Sequence, residues 1–126
     1  MGTTNQHLQQ ARENYDFYFH RTDLTVGVDR QWAAVLLFYS ALHLVDAFLA
    51  AQSTPFHPGS HEIRDSCIAR LRDLHPIARA YGTLQDRSKD ARYRMRPFTQ
   101  AEVRTLETVQ FAAIRQHVTG LLGVTF

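Results

Sequence analysis

The sequence has 126 residues, a length that fits one domain and leaves no room for two. Its composition, 44% hydrophobic and 21% charged, is that of a globular chain and excludes the disordered and collagen-like classes. The only cysteine, Cys67, excludes an internal disulfide, and no basic and apolar leader opens the chain. We therefore expect a cytoplasmic protein in a reducing compartment.

Hydrophobic residues recur with a helical period along nearly the whole chain. The first apolar stripe predicts a helix over residues 4–21, followed by a linker over 22–28. Asp29 is a favourable N-cap for a second helix over 30–52, the most apolar segment of the sequence. These features indicate two long helices joined by a short connection.

The second predicted helix is long enough to span a bilayer, so a membrane role has to be considered. Ser40, His43 and Asp46 interrupt its apolar run along one face, and no second span follows. A carboxylate near the middle of a span costs about 2.5–3.5 kcal/mol. We expect the central helix of a bundle and no membrane association.

Loop, cap and stripe signals predict two shorter helices next. Pro and Gly mark residues 53–59 as a loop, after which Ser60 can cap a third helix. Its predicted buried stripe is Ile63, Cys67, Leu71 and Leu74. Pro76 fits the first turn of a fourth helix.

The last helix has the clearest start signal. Residues 99–102, Thr-Gln-Ala-Glu, form a capping box. The predicted stripe beyond it consists of Val103, Leu106, Val109, Ala113, Ile114, Val118 and Leu121. Because no segment alternates like a strand, the sequence predicts an all-α, antiparallel bundle of four to five helices in a single domain over residues 1–126.

Positive charge is concentrated in one segment. The net charge is +2, but residues 87–96 alone carry +4, so the rest of the chain is negative. Guanidinium groups bind phosphates, and interleaved aromatic rings stack on unpaired bases. This pattern predicts an RNA- or nucleotide-binding surface, with a solvated charged loop paired to Asp86 and Asp90 as the alternative. The predicted contact residues are Arg87, Arg92, Tyr93, Arg94 and Arg96.

The remaining polar candidates have weaker patterns. Ser40, His43, Asp46 and His61 are predicted to form a polar seam within the bundle, with a pocket lining as the alternative. No metal or cofactor is predicted, because zinc-ribbon and di-iron spacings are absent, although a three-histidine site from different helices stays open. Arg70 and His75 could together bind a phosphate and protonate a leaving oxygen, as metal-free RNA cleavage requires.

Three segments resemble the small prokaryotic HEPN domains. Residues 38–49, FYSALHLVDAFL, resemble the family's YYAxFHxxxAxL helix, and Ser60-His61 resembles the opening of its third helix. Residues 84–93, LQDRSKDARY, resemble its LxxxRxxADY segment, and the helix from Thr99 fits its last helix. The similarity covers about residues 5–122, nearly the whole chain.

This resemblance implies a helical bundle that commonly forms a homodimer. Many HEPN proteins are metal-independent endoribonucleases of toxin–antitoxin or phage-defence systems, with an R-x4–6-H active site. Arg87 occupies the place of that arginine, but Arg92 stands where the histidine is expected, so the catalytic motif is degenerate. The resemblance therefore favours a domain that binds RNA or nucleotide.

Two alternatives remain open. One is an active metal-independent endoribonuclease that uses Arg70 and His75. The other is a non-catalytic partner subunit of a protein encoded nearby, with an interface at Leu121, Leu122 and Phe126.

Overall fold

Helix α2 (Gly27–Ala50) lies at the centre of the structure, a computed structural model that describes residues 2–126. Of its 24 residues, 14 are buried, and it contacts most of the other helices. It is long and apolar enough to cross a membrane, but 78% of its most apolar window is buried inside the bundle. The apolar run is therefore the core of the fold, as the sequence predicts.

The described residues form an all-α bundle without strands, which confirms the predicted fold class. Besides α2, the helices in chain order are α1 (Thr4–Arg21), α3 (His61–Arg70), α4 (Ala78–Tyr93), α5 (Gln100–Thr105) and α6 (Ala112–Leu122). A 3₁₀ segment (Arg72–Ile77) precedes α4, and a π-helical segment (Leu106–Phe111) joins α5 to α6.

Helices α1 and α2 pack side by side and run antiparallel. Thr4 Oγ1 donates to the Ala47 carbonyl, and Ser40 Oγ donates to the Ala11 carbonyl, so position increases on α1 as it decreases on α2. These two bonds fix the register of the pair. Among the residues between them, His7 of α1 is thereby brought beside His43 of α2.

Capping signals predicted some helix starts correctly and missed others. Ser60 caps α3, and the Thr99–Glu102 capping box opens α5. Asp29 is not the N-cap of α2, which begins two residues earlier at Gly27. Its Oδ2 instead accepts from the Asp23 N–H at 2.8 Å, which fastens the preceding turn. Pro76 lies in the 3₁₀ segment and not in the first turn of α4.

The predicted stripe of α3 is only partly correct, since Leu74 is buried and Cys67 is half-buried but the other two members are exposed. Ile63 is 45% exposed and Leu71 is 36% exposed, whereas Arg64 and Ile68 are the buried residues of this helix. The helix is rotated because Arg64 finds a buried carboxylate on α2, a partner that apolar periodicity does not register. This ion pair fixes which face of α3 meets the core.

The stripe of the last helix is also partly wrong. Val103, Leu106, Ile114 and Val118 are buried, but Val109 is 55% exposed and Leu121 is 39% exposed. The π segment is the reason, since its i→i+5 bonding adds a residue to one turn and changes the register of the residues beyond it. Phe111 is buried within this segment.

The same π segment turns Glu107 towards α1. Its two carboxylate oxygens accept from the Tyr15 hydroxyl at 2.7 Å and the Tyr18 hydroxyl at 2.6 Å. Burial acts to raise the pKa of Glu107, but the two hydrogen bonds and the nearby charge of Arg104 together outweigh it, so the pKa is lowered. Glu107 thus ties the last helix to the first.

Candidate functional site

Arg92 lies near the end of α4 and is held by two tyrosines. Its Nη1 donates to the Tyr39 hydroxyl at 2.8 Å, and its guanidinium carbon lies 5.4 Å from the Tyr39 ring centre and 4.8 Å from that of Tyr93. Among residues 2–126, no ion pair joins Arg92 to a carboxylate. Its charge is therefore positioned by aromatic rings and stays available to an anion.

His61, the first residue of α3, lies beside the same group. Its ring centre is 6.3 Å from that of Tyr39, and its Nδ1 is buried without a hydrogen-bond partner in the described part of the chain. Burial, together with the charges of Arg64 and Arg92, lowers the pKa of His61. We call Tyr39, His61, Arg92 and Tyr93 the aromatic–arginine site.

The other predicted arginines are directed to a different place. Arg87 Nε lies 3.0 Å from Asp90 Oδ2, Arg94 Nη1 lies 2.6 Å from Asp90 Oδ1, and Arg96 Nη1 lies 3.9 Å from Asp90 Oδ2. Arg96 also contacts Glu102 at 2.7 Å. We call these five residues the Asp90 cluster, and its carboxylates neutralise most of the charge that the sequence concentrates here.

A change of backbone direction separates the two groups. Helix α4 ends at Tyr93, and Met95 follows with a φ of 50°, in the left-handed region. The Arg94 and Arg96 N–H groups both donate to the Asp90 carbonyl. Of the five predicted contact residues, the structure brings Arg92 and Tyr93 together and turns Arg87, Arg94 and Arg96 towards Asp90.

The predicted polar residues of α2 each have a partner on another helix. Ser40 Oγ donates to the Ala11 carbonyl at 2.7 Å, and His43 Nδ1 lies 2.9 Å from His7 Nδ1. Asp46 accepts two bonds from Arg64, at 2.7 Å from Nε and 3.0 Å from Nη2. Ser40 and Asp46 are buried, as expected for a seam.

Burial lowers the pKa of both His7 and His43, and the neighbouring imidazole of His7 lowers that of His43 further. His61, which was predicted to belong to the seam, contacts Phe38 and Tyr39 instead. The seam therefore consists of Ser40, His43 and Asp46 and their partners.

Sequence reasoning missed His7 and Arg64. His7 is next to the buried Leu8 on the inner side of α1, and Arg64 lies one turn before the buried Ile68. Their positions close to buried apolar residues were the signal in the sequence that these two side chains face the bundle. Their partners become visible only once α1, α2 and α3 are packed together.

Arg70 and His75 are both exposed and lie on different elements. Arg70 ends α3 and lines an apolar depression with Leu49, Phe56 and Cys67, whereas His75 belongs to the 3₁₀ segment. No hydrogen bond or ion pair joins the two among the described side chains.

The C-terminal residues predicted as a partner interface differ in exposure. Leu121 is 39% exposed, but Leu122 and Phe126 are partly buried against the core. The Phe126 ring lies beneath the guanidinium groups of Arg12 and Arg115. The chain itself thus covers part of this apolar surface.

No protein-family model, curated protein or solved structure is similar enough to the chain to count as a match.

Proposed function

We propose that this chain is a HEPN-like domain that binds single-stranded RNA or a nucleotide phosphate at the aromatic–arginine site. The observation that supports this most directly is Arg92, a guanidinium held between two tyrosine rings with no carboxylate partner in residues 2–126. Guanidinium groups form paired hydrogen bonds with phosphate oxygens. Arg92 would supply the phosphate contact.

Tyr93 would supply the base contact. Its side chain is 71% exposed beside Arg92, so a face of its ring is open to a stacking base. Stacking of this kind tolerates any base, because every base has a π-face. The pair therefore favours single-stranded nucleic acid over a base-paired duplex.

The Asp90 cluster would contribute less to binding. Arg87, Arg94 and Arg96 share one buried carboxylate, and Arg96 has Glu102 as well. A phosphate would have to compete with those carboxylates for each guanidinium. We therefore expect Arg92 to contribute more to phosphate binding than the other arginines that the sequence predicts as contacts.

The test is fluorescence anisotropy of a labelled single-stranded RNA in EDTA across a salt series. We expect Tyr93→Ala to weaken binding roughly 5- to 150-fold, the cost of one base stack. Arg92→Ala should weaken binding and reduce the salt slope by about 0.7, as expected for one lost phosphate contact on a single strand. Arg79→Ala is the matched control, because Arg79 is exposed on the same helix. Equal affinities for the Arg92→Ala and Arg79→Ala variants would contradict the proposal.

The same samples test the two alternative functions and the homodimer that the resemblance implies. RNA cleavage that persists in EDTA and disappears in His75→Ala would favour the endoribonuclease that uses Arg70 and His75. Absence of both binding and cleavage would favour a partner subunit. Light scattering on the same samples measures the oligomeric state.

A further inference from the structure

Two histidines from different helices meet on the inner side of α1. His7 Nδ1 and His43 Nδ1 are 2.9 Å apart, and Asp46 is one turn beyond His43 on α2. One potential ligand atom from each of the three residues lies within 4.8 Å of the others. The proposed RNA site uses none of these residues.

The short contact between the two nitrogens has two chemical interpretations. In the first, one imidazole carries its proton on Nδ1 and donates a hydrogen bond to the other. In the second, both carry it on Nε2, so that two lone pairs converge on one point. A tetrahedral zinc ion with bonds of about 2.0–2.1 Å separates its ligand atoms by roughly 3.4 Å, so a small opening of the pair admits the ion.

The three side chains are held in place by the fold. The Thr4–Ala47 and Ala11–Ser40 hydrogen bonds lie on either side of the His7–His43 contact and fix its register. Asp46 is oriented by two hydrogen bonds from Arg64, the kind of outer partner that positions a ligating carboxylate. A preorganised site of this kind requires little conformational change when an ion binds.

A further unpaired nitrogen lies in the same region. The Nδ1 of His57 is buried without a hydrogen-bond partner in the described residues, and His57 lines a cavity with Thr3, Thr4 and Asn5 at the start of α1. The two neutral imidazoles add no charge, and the charges of Asp46 and Arg64 cancel. A divalent cation would then keep its full charge, as it does at three-histidine zinc sites.

We propose that His7, His43 and Asp46 bind a zinc ion. Two imidazole nitrogens and one carboxylate oxygen are donors that zinc prefers, and three protein ligands leave its fourth position for water or another small ligand. His7 and His43 are only half-buried, so solvent can reach the ion.

Calorimetric titration of untagged, EDTA-stripped and dialysed protein with Zn²⁺ tests the site. We expect one equivalent to bind, and Co²⁺ in its place to give the visible bands of a tetrahedral ion. His7→Gln and His43→Gln should each weaken zinc binding by more than the roughly 10- to 100-fold that loss of an outer partner costs. His20→Gln, an exposed position on the same helix as His7, should bind zinc as the wild type does.

A fold measurement keeps the result interpretable. Circular dichroism of each variant without metal identifies any loss of structure, and zinc should raise Tm in the wild type and in His20→Gln only. The proposal is overturned if the folded wild type binds no stoichiometric zinc, or if His7→Gln and His43→Gln bind it unchanged. The zinc titration contains no RNA, and the RNA assay contains EDTA, which removes zinc. The two proposals can therefore fail independently.

Discussion

Two buried aspartates, Asp46 and Asp90, show how the same ion-pair chemistry can serve different ends. Their residues are 6% and 7% exposed, respectively. Asp46 has a single partner, Arg64, whose side chain is 8% exposed. Asp90 has three arginine partners whose side chains are 36%, 63% and 34% exposed. Water therefore solvates the cations of the second group but is nearly excluded from the first.

This difference in solvation gives the Asp46–Arg64 pair and the Asp90 cluster different roles. Removing one member of a buried pair leaves an uncompensated charge out of water, which is costly. Removing one exposed arginine costs little, because water replaces the lost contact. We infer that Asp46–Arg64 fixes the packing of α3, whereas the Asp90 cluster sets the local charge beside the aromatic–arginine site.

The largest expected effect follows from breaking the first pair. Arg64→Met leaves the Asp46 carboxylate buried without its partner, and we expect the free energy of unfolding to fall by about 3–5 kcal/mol. Urea denaturation followed by circular dichroism measures the change. Arg94→Met provides the contrast from the Asp90 cluster, with an expected loss of at most about 1 kcal/mol.

Two controls separate charge burial from loss of packing. Arg70→Met changes an exposed position on the same helix and should alter stability by no more than about 0.5 kcal/mol. The double variant Asp46→Leu/Arg64→Met should regain much of the loss, because no buried charge remains. If Arg64→Met costs no more than Arg94→Met, burial does not distinguish the two groups.

An intermediate effect is expected from Asp90→Asn. The amide keeps the shape of the carboxylate but removes its charge, so the ion pair with Arg87 is lost and the hydrogen bond from Arg94 weakens. We expect a loss of about 1–2 kcal/mol in the free energy of unfolding. RNA affinity should rise at low salt, since the released guanidinium groups become available to phosphates.

Asp86→Asn is the matched control for that variant. Asp86 is exposed on the same helix, so its substitution changes the net charge equally without releasing an arginine. Equal RNA affinities for the two variants would show that total charge, and not the Asp90 cluster, governs binding.

The smallest effect concerns pH and the histidines of the seam. Burial lowers the pKa of His7 and His43 from the ordinary value of 6.5. Below that value the unfolded chain takes up protons that the folded chain resists, so stability is lost as the pH falls towards the lowered folded values. We expect a lower Tm at about pH 5.5 than at about pH 7.5.

The pH effect can be assigned to the seam by substitution. His43→Gln should reduce the fall in Tm, whereas His75→Gln, at an exposed position, should leave it unchanged. A Tm that rises on acidification would contradict the assignment.

The fold was largely predictable because its strongest determinants are local. Helical periodicity and capping residues predicted the all-α class, the span of α1 and the caps Ser60 and Thr99. The stripe of α3 was not predictable, since the burial of Arg64 depends on Asp46, a residue 18 positions away in sequence. The stripe of the last helix failed where the π segment departs from the regular α-helical period.

The candidate site was predictable in composition but not in arrangement. The charge count identified Arg87, Arg92, Arg94 and Arg96 together, because it depends on sequence proximity alone. Their separation depends on where α4 ends and on which side chains face Asp90. The meeting of His7 with His43 depends on the register between α1 and α2, which no single helix encodes.

The π segment also bears on how the length of the chain can vary. Deleting one residue from a regular α-helix rotates everything beyond the deletion by about 100°. Between Leu106 and Phe111, however, one turn holds an additional residue, so removing the exposed Val109 would convert the segment to α-helix and leave Ile114 and Val118 facing the core. A deletion within α6 ahead of Val118 would instead turn Val118 out of the core, although no core side chain had been altered. In this helix the place of a deletion matters more than the residue removed.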